Sequence, residues 1–287
     1  MIQSGSFRYF RFFMVMPKLI EFFDSHCHFD FASFDVNRKT IWHACHSLGV
    51  KQLTIPGVSP EQWNIAGQIA EQYDGIYFAA GIHPWWIGKV FQDELNSQKI
   101  ENIFDKLKLS LGHKKCVAVG ECGLDAVVAT KLTIQQQLLD AHLQLASELK
   151  LPVIIHCRKA HNELILSLKK FNLSAGGVIH AFSGSIDLAN TYWQLGFCLG
   201  IGGTITYERA HKTREAVRQL PIEALLLETD APDMPLQGQQ GRDNTPENLP
   251  FIAQVLADIR NESVSFVAQQ TTKNARTLFG LKQKYSS

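Results

Sequence analysis

The sequence predicts an α/β fold, a (β/α)8 TIM-type barrel, on three observations. Short, apolar, β-rich runs alternate with amphipathic helical stretches from Leu19 onward, which is the mark of βα units around a parallel sheet. Five of these runs end in His, Glu or Asp, and parallel barrel strands deliver their last residues to one face. The chain has 287 residues, long for an average domain, yet a barrel of about 250 residues is a single domain.

The strands are expected at Leu19–Asp24, Lys51–Pro56, Ile76–Ile82, Lys115–Gly120, Leu151–Ile155, Gly177–Ile179, Phe197–Ile201 and Ala224–Thr229. Strands buried on both faces read as continuous apolar runs, and Val117-Ala118-Val119, Val153-Ile154-Ile155 and Leu225-Leu226-Leu227 do so. Helical periodicity is clearest from Thr133 to Leu149, where Ile134, Leu138, Ala141, Leu145 and Leu149 recur at helical spacing behind Thr133 as a candidate N-cap. Further helices are expected at Val36–Leu48, Pro60–Tyr73, Gln98–Leu111, Lys159–Phe171, Ile186–Leu195, Arg209–Gln219, Glu247–Ile259 and Ser263–Phe279. The irregular stretch from Pro232 to Pro250 follows the last strand, so it should drape over the mouth of the barrel. No linker divides the chain: one domain is expected over residues 19–287. Residues 1–18 are expected to be an extension, disordered or a start-site artefact, with Met14 or Met16 as the true start.

Composition narrows the function classes. A hydrophobic content of 45% with 19% charged residues describes a soluble globular chain with a large core. No apolar stretch approaches the ~20 residues that span a bilayer. A formal net charge of +1 argues against a long footprint on duplex nucleic acid, though not against a local basic patch. The six cysteines are scattered without a C-x-x-C pair, which is neither a zinc-ribbon pattern nor a disulfide framework. A reducing, cytoplasmic location is the expectation.

The residues that end the runs are His26 and His28, Glu121, His156, His180 and Asp230. A single histidine of this kind is more often structural than functional. A carboxylate such as Glu121, directly after a buried strand, needs a partner or a cation. Six such groups exceed the four ligands of one tetrahedral zinc and point to two divalent ions per chain. Glu121 could bridge them, with His26, His28 and Asp230 on one ion and His156 and His180 on the other. Asp230 could also take the proton from an attacking water. Nitrogen and oxygen ligands without thiolate suit zinc, manganese or magnesium alike. Cys27 points away from His26 and His28 by strand alternation.

Around these lie candidate substrate contacts. His83, in Gly81-Ile82-His83-Pro84, reaches the mouth without an evident metal partner, as a substrate contact or a loop hydrogen bond. Arg158 and Lys159 follow His156 and could neutralise a phosphate. Gly203, in Gly200-Ile201-Gly202-Gly203-Thr204, could offer a backbone N–H to phosphate. Arg214 and Arg218 read better as a solvated helix face. Trp85 and Trp86 could stack on an extruded base or simply pack.

In this order, the motifs resemble those of the TatD family of metal-dependent hydrolases, within the amidohydrolase-like barrels, and its YjjV-type branch above all. The resemblance covers Phe22 to Leu281 and rests on six segments: Asp24–Asp30, Gly81–Pro84, Gly120–Asp125, His156–Ala160, His180–Gly184 and Glu228–Asp233. The run Arg242–Asn248 adds to it. It implies a distorted barrel with two divalent ions held by His26, His28, Glu121, His156, His180 and Asp230, and hydrolysis of phosphodiesters, deoxyribonuclease activity being known in several members. Trp85-Trp86 and Ala126-Val127-Val128 depart from the family pattern and bear on substrate choice. The expected partner is DNA or another phosphodiester, as single strands or ends, since a barrel mouth cannot admit a duplex. No membrane partner is expected, and the chain is expected to act as a monomer. A small ester, lactone or amide is the alternative substrate, because the same activated water attacks carbonyls.

Overall fold

The computed structural model describes residues 20–91 and 96–281. The expected extension over residues 1–18 lies outside the described residues. Eight parallel strands pair strictly in chain order: β1 (Phe22–Asp24), β2 (Val50–Gly57), β3 (Ile76–Ala80), β4 (Cys116–Asp125), β5 (Val153–Arg158), β6 (Gly177–Ile179), β7 (Phe197–Ile201) and β8 (Leu225–Leu227). Helices follow the strands: α1 (Arg38–Ser47), α2 (Pro60–Gln72), α3 (Ile87–Phe91), α4 (Ser97–Leu111), α5 (Leu132–Leu149), α6 (His161–Leu168), α7 (Ile186–Gln194), α8 (His211–Gln219), α9 (Leu249–Arg260) and α10 (Val264–Leu278). This is the (β/α)8 barrel. No helix among the described residues is long and apolar enough to cross a membrane.

Alternation along the strands divides the core in two. Phe22, Leu53, Ile55, Val153, Ile155 and Leu227 pack with helix residues such as Leu138 and Leu143 in the layer between sheet and helices. Phe23, Ile154, Val178 and Leu226 fill the barrel interior, closed below by Phe279. The same period carries interior residues upward to polar ones: Ile154 to His156, Val178 to His180, and Leu226 to Glu228 and Asp230.

The sheet closes at a seam between β1 and β8, each three residues long. There Ser25 N–H donates to Leu227 O (2.9 Å) and Asp230 N–H donates to His26 O (2.8 Å). The buried Asp24 carboxylate reinforces the seam, accepting the backbone N–H (3.0 Å) and hydroxyl (2.6 Å) of Thr229. Burial pushes Asp24 up to about 7, against the lowering effect of these hydrogen bonds.

Some boundaries differ from expectation. β3 and β8 stop two residues short, whereas β5 runs through His156 to Arg158 and β4 continues through Glu121 to Asp125. The α5 N-cap is Lys131, which places Thr133 inside the first turn. The stretch from Pro232 to Pro250 is turns and one short 3-10 segment, Pro246–Asn248, running into α9.

Candidate metal centre

Glu121 is not at a strand end, and what aims it inward is a β-bulge. The β4–β5 register shifts between Val119 and Cys122, so that Gly120 and Glu121 together stand opposite the single residue Ile154. Val119, Cys122 and Leu124 all belong to the outer core layer. Without the bulge Glu121, two residues after Val119, would face outward too. With it, Glu121 and Asp125 turn to the interior face. Gly120 has φ +137°, a conformation that L side chains rarely adopt, and the bulge depends on it. A Cβ on Gly81 would lie 2.6 Å from Gly120 Cα, so the end of β3 presses directly on the bulge.

The Glu121 carboxylate, 1% exposed, is the hub of the cluster. Its Oε2 faces His26 Nε2 (3.3 Å) and His28 Nε2 (3.7 Å), and Asp230 Oδ1 lies 3.3 and 3.6 Å from the same two nitrogens. Its Oε1 faces His180 Nε2 (2.8 Å), His156 Nδ1 (3.3 Å) and His83 Nε2 (3.3 Å). His180 also stacks on His26 with ring centroids 3.9 Å apart, so the two sides adjoin. Three overlapping triads have ligand atoms close enough to share a cation: His26–His180–Asp230, His26–His28–Glu121 and His83–Glu121–His156. Cys27 is in none of them; its thiol faces Ala231 O instead.

The donor set fits a divalent cation. Both ring nitrogens of His26, Nδ1 of His28 and Oε2 of Glu121 are buried without a hydrogen-bond partner. Of these, His26 Nε2 and Glu121 Oε2 face each other within the cluster, and such orphaned atoms are costly unless a cation engages them. Burial pulls His28 down to about 4 and pushes Asp230 up to about 7, so this cavity disfavours charge in both. Burial lowers His180 as well, but the Glu121 carboxylate outweighs it and raises His180 to about 10.

A second layer holds the cluster, and sequence reasoning assigned it no role. Asp125 Oδ2 lies 3.3 Å from His156 Nε2 and accepts the Trp85 indole N–H at 2.7 Å, while its Oδ1 accepts Val127 N–H. Glu228 is fully buried, accepts Ala181 N–H and lies 3.8 Å from His180 Nδ1. Burial pushes Glu228 up to about 8, opposed by His180. The signal for Asp24, Asp125 and Glu228 was there: each is a carboxylate inside or at the end of an apolar run.

The candidate substrate contacts fare unevenly. His83, expected to lack a metal partner, sits against Glu121 instead, because Gly81 lets β3 approach the bulge so closely. Trp85 N–H donates to His83 Nδ1 (3.1 Å), which leaves the proton of the neutral ring on Nε2. Arg158 ends β5 and is exposed. Gly203 is buried, and a Cβ there would meet Met234 O, in the loop after β8, at 2.6 Å. Arg214 bonds Ile205 O, and Arg218 pairs with Glu215 and Ile259 O, so both are structural.

Fold and cluster together define a (β/α)8 barrel with a candidate metal centre at its mouth. The chain belongs to the TatD family: the family model described as TatD related DNase matches residues 23–280. An Escherichia coli (strain K12) protein described as the uncharacterized metal-dependent hydrolase YjjV is 39% identical over 92% of this chain and 99% of its own. Its crystal structure superposes with a TM-score of 0.84, covering 91% of this chain and 98% of that one. A Pantoea ananatis protein described as the 3'-5' ssDNA/RNA exonuclease TatD is 34% identical over 86% of this chain and 95% of its own.

Proposed function

We propose that the chain is a divalent-metal-dependent hydrolase that cleaves phosphodiester bonds in DNA ends or single strands. The observation that carries this reading is the division of Glu121, whose two oxygens face two different histidine sets. His26, His28 and Asp230 would hold one ion with Oε2, and His156 and His180 a second with Oε1. Zinc, manganese and magnesium all suit the donors. Two bound ions would supply Lewis acidity at a phosphoryl oxygen and a water of lowered pKa.

The remaining steps fall to the chain's own groups. Asp230 accepts the proton of the attacking water. His83, neutral and protonated at Nε2, donates a hydrogen bond to a phosphate oxygen or the leaving group; burial keeps it neutral by pulling its pKa down to about 3. Asp125 fixes the ring of His156. Arg158, at the rim, neutralises phosphate charge. DNA as substrate is supported by the description of the matching family model and by that of the Pantoea relative.

The test is cleavage of an end-labelled single-stranded oligonucleotide by metal-loaded protein beside Asp230→Asn. Stepwise shortening that falls by about 100-fold or more in the variant supports the reading. No cleavage with any of the three metals, despite bound ions, would sink it in favour of a small ester or amide.

A further inference from the structure

Three aromatic rings border the cluster on one side only. The Phe31 ring stacks on His28, with centroids 4.5 Å apart and planes 25° from parallel. Trp86 stands 6.3 Å from Phe31, and both Trp85 and Trp86 meet His83 nearly edge-on, at 5.6 and 5.8 Å. The loops after β1 and β3 therefore form an aromatic wall against two of the histidines that face Glu121.

Packing accounts for the half-buried Phe31 and Trp86 but not for Trp85, which is 55% exposed. An exposed ring of that size normally stays mobile, yet its indole N–H is tied to Asp125 at 2.7 Å. That bond fixes the ring by its edge and satisfies its one polar atom without covering a face. Val127, itself 50% exposed, extends the apolar surface beyond Asp125. In the β4–β5 register Arg158 lies opposite Asp125, and it and Lys159 are exposed. Aromatic faces thus adjoin cationic groups beside the metal cluster.

We infer that this wall is a stacking subsite for an unpaired nucleobase of the strand whose phosphate lies at the metal centre, with Trp85 its principal platform. The inference rests on the phosphodiesterase reading above and deepens it. A planar ring as exposed as Trp85 favours a planar aromatic ligand, and adjoining cations favour one that carries phosphate. A base within a duplex is already stacked, so the subsite selects single strands and frayed ends.

The experiment compares oligothymidylate with an abasic oligomer of equal length, using the metal-loaded wild type, Trp85→Ala and Trp85→Phe. Both variants lose the indole N–H, so their difference isolates the ring face. The wild type should favour the base-bearing strand by about 10-fold or more in kcat/KM, Trp85→Ala should lose that preference, and Trp85→Phe should keep most of it. Equal cleavage of both strands by the wild type, or an equal loss on both strands in Trp85→Ala, would overturn the subsite. If neither strand is cleaved, the phosphodiesterase reading fails, and fluorescence anisotropy of the same labelled strands decides the subsite separately. Base-dependent binding that Trp85→Phe retains and Trp85→Ala loses would uphold it; equal binding of the two strands would overturn it.

Discussion

Asp24 on β1 and Thr229 beyond the end of β8 are joined by two hydrogen bonds through one carboxylate, 3.0 Å from the backbone N–H and 2.6 Å from the hydroxyl. The same carboxylate accepts His26 N–H at 3.2 Å. It therefore holds, across the barrel seam, the chain that presents His26 to the chain that presents Asp230. Asp24→Ala leaves these donors buried and unpaired, with an expected cost of about 2–4 kcal/mol in urea denaturation. Asp24→Asn retains one acceptor oxygen and should cost about half as much. Equal stability of wild type and Asp24→Ala would show that the seam does not depend on this residue.

The pairing of Asp125 with His156 predicts a different phenotype. Asp125→Asn keeps the size of the side chain but weakens the group that orients His156. Partners of this kind typically change metal affinity 10–100-fold without unfolding the chain. Competition with a metal-sensitive chelator dye would read this, with thermal denaturation of the apo-protein as the control. Unchanged affinity would assign Asp125 to anchoring Trp85 alone.

Metal uptake should release protons. Burial holds the Asp230 carboxyl near 7, and Glu121 outweighs burial to hold a proton on His180 up to about 10; both must deprotonate to act as ligands. Affinity should therefore rise with pH from about 6 to about 10, first as Asp230 and then as His180 loses its proton, and fall as acid restores the protons. Calorimetry in buffers of different ionisation enthalpy would count the protons released. Chelation should lower the melting temperature, because metal binds the folded chain and not the unfolded one. Glu121→Gln should abolish both effects.

His142 offers a pH effect away from the cluster. Its Nε2 accepts Ile82 N–H, its Nδ1 meets Leu138 O, and burial pulls its pKa from 6.5 down to about 4. The folded state thus keeps the ring neutral where the unfolded chain protonates it. Its contribution to stability is fully present above about 6.5 and is lost as pH falls towards 4, where the loss levels off. The interval between these values is worth roughly 3 kcal/mol. His142→Gln should flatten the stability profile across that range, as measured by denaturation at pH 7 and pH 5; an unchanged profile would assign the acid sensitivity to other groups.

What the sequence determined by itself was the barrel and the set of groups at its mouth. Both follow from local properties: apolar runs of strand length, helical periodicity between them, and polar residues where the runs stop. Parallel topology then carries residues as distant as His26 and Asp230 to one face, which is why the cluster could be assembled before any coordinates. Tertiary structure decided the rest. β4 continues past Gly120, the glycine that reads as its end, because Gly120 is instead the bulge that turns Glu121 and Asp125 inward. His83 joins the cluster because two glycine backbones meet, a contact that no single segment encodes. Gly203 is buried because the loop after β8 packs onto it. The seam at Asp24, the anchoring of Trp85 on Asp125 and the division of Glu121 between two histidine sets arise from register between neighbouring strands, and register is a property of pairs of segments.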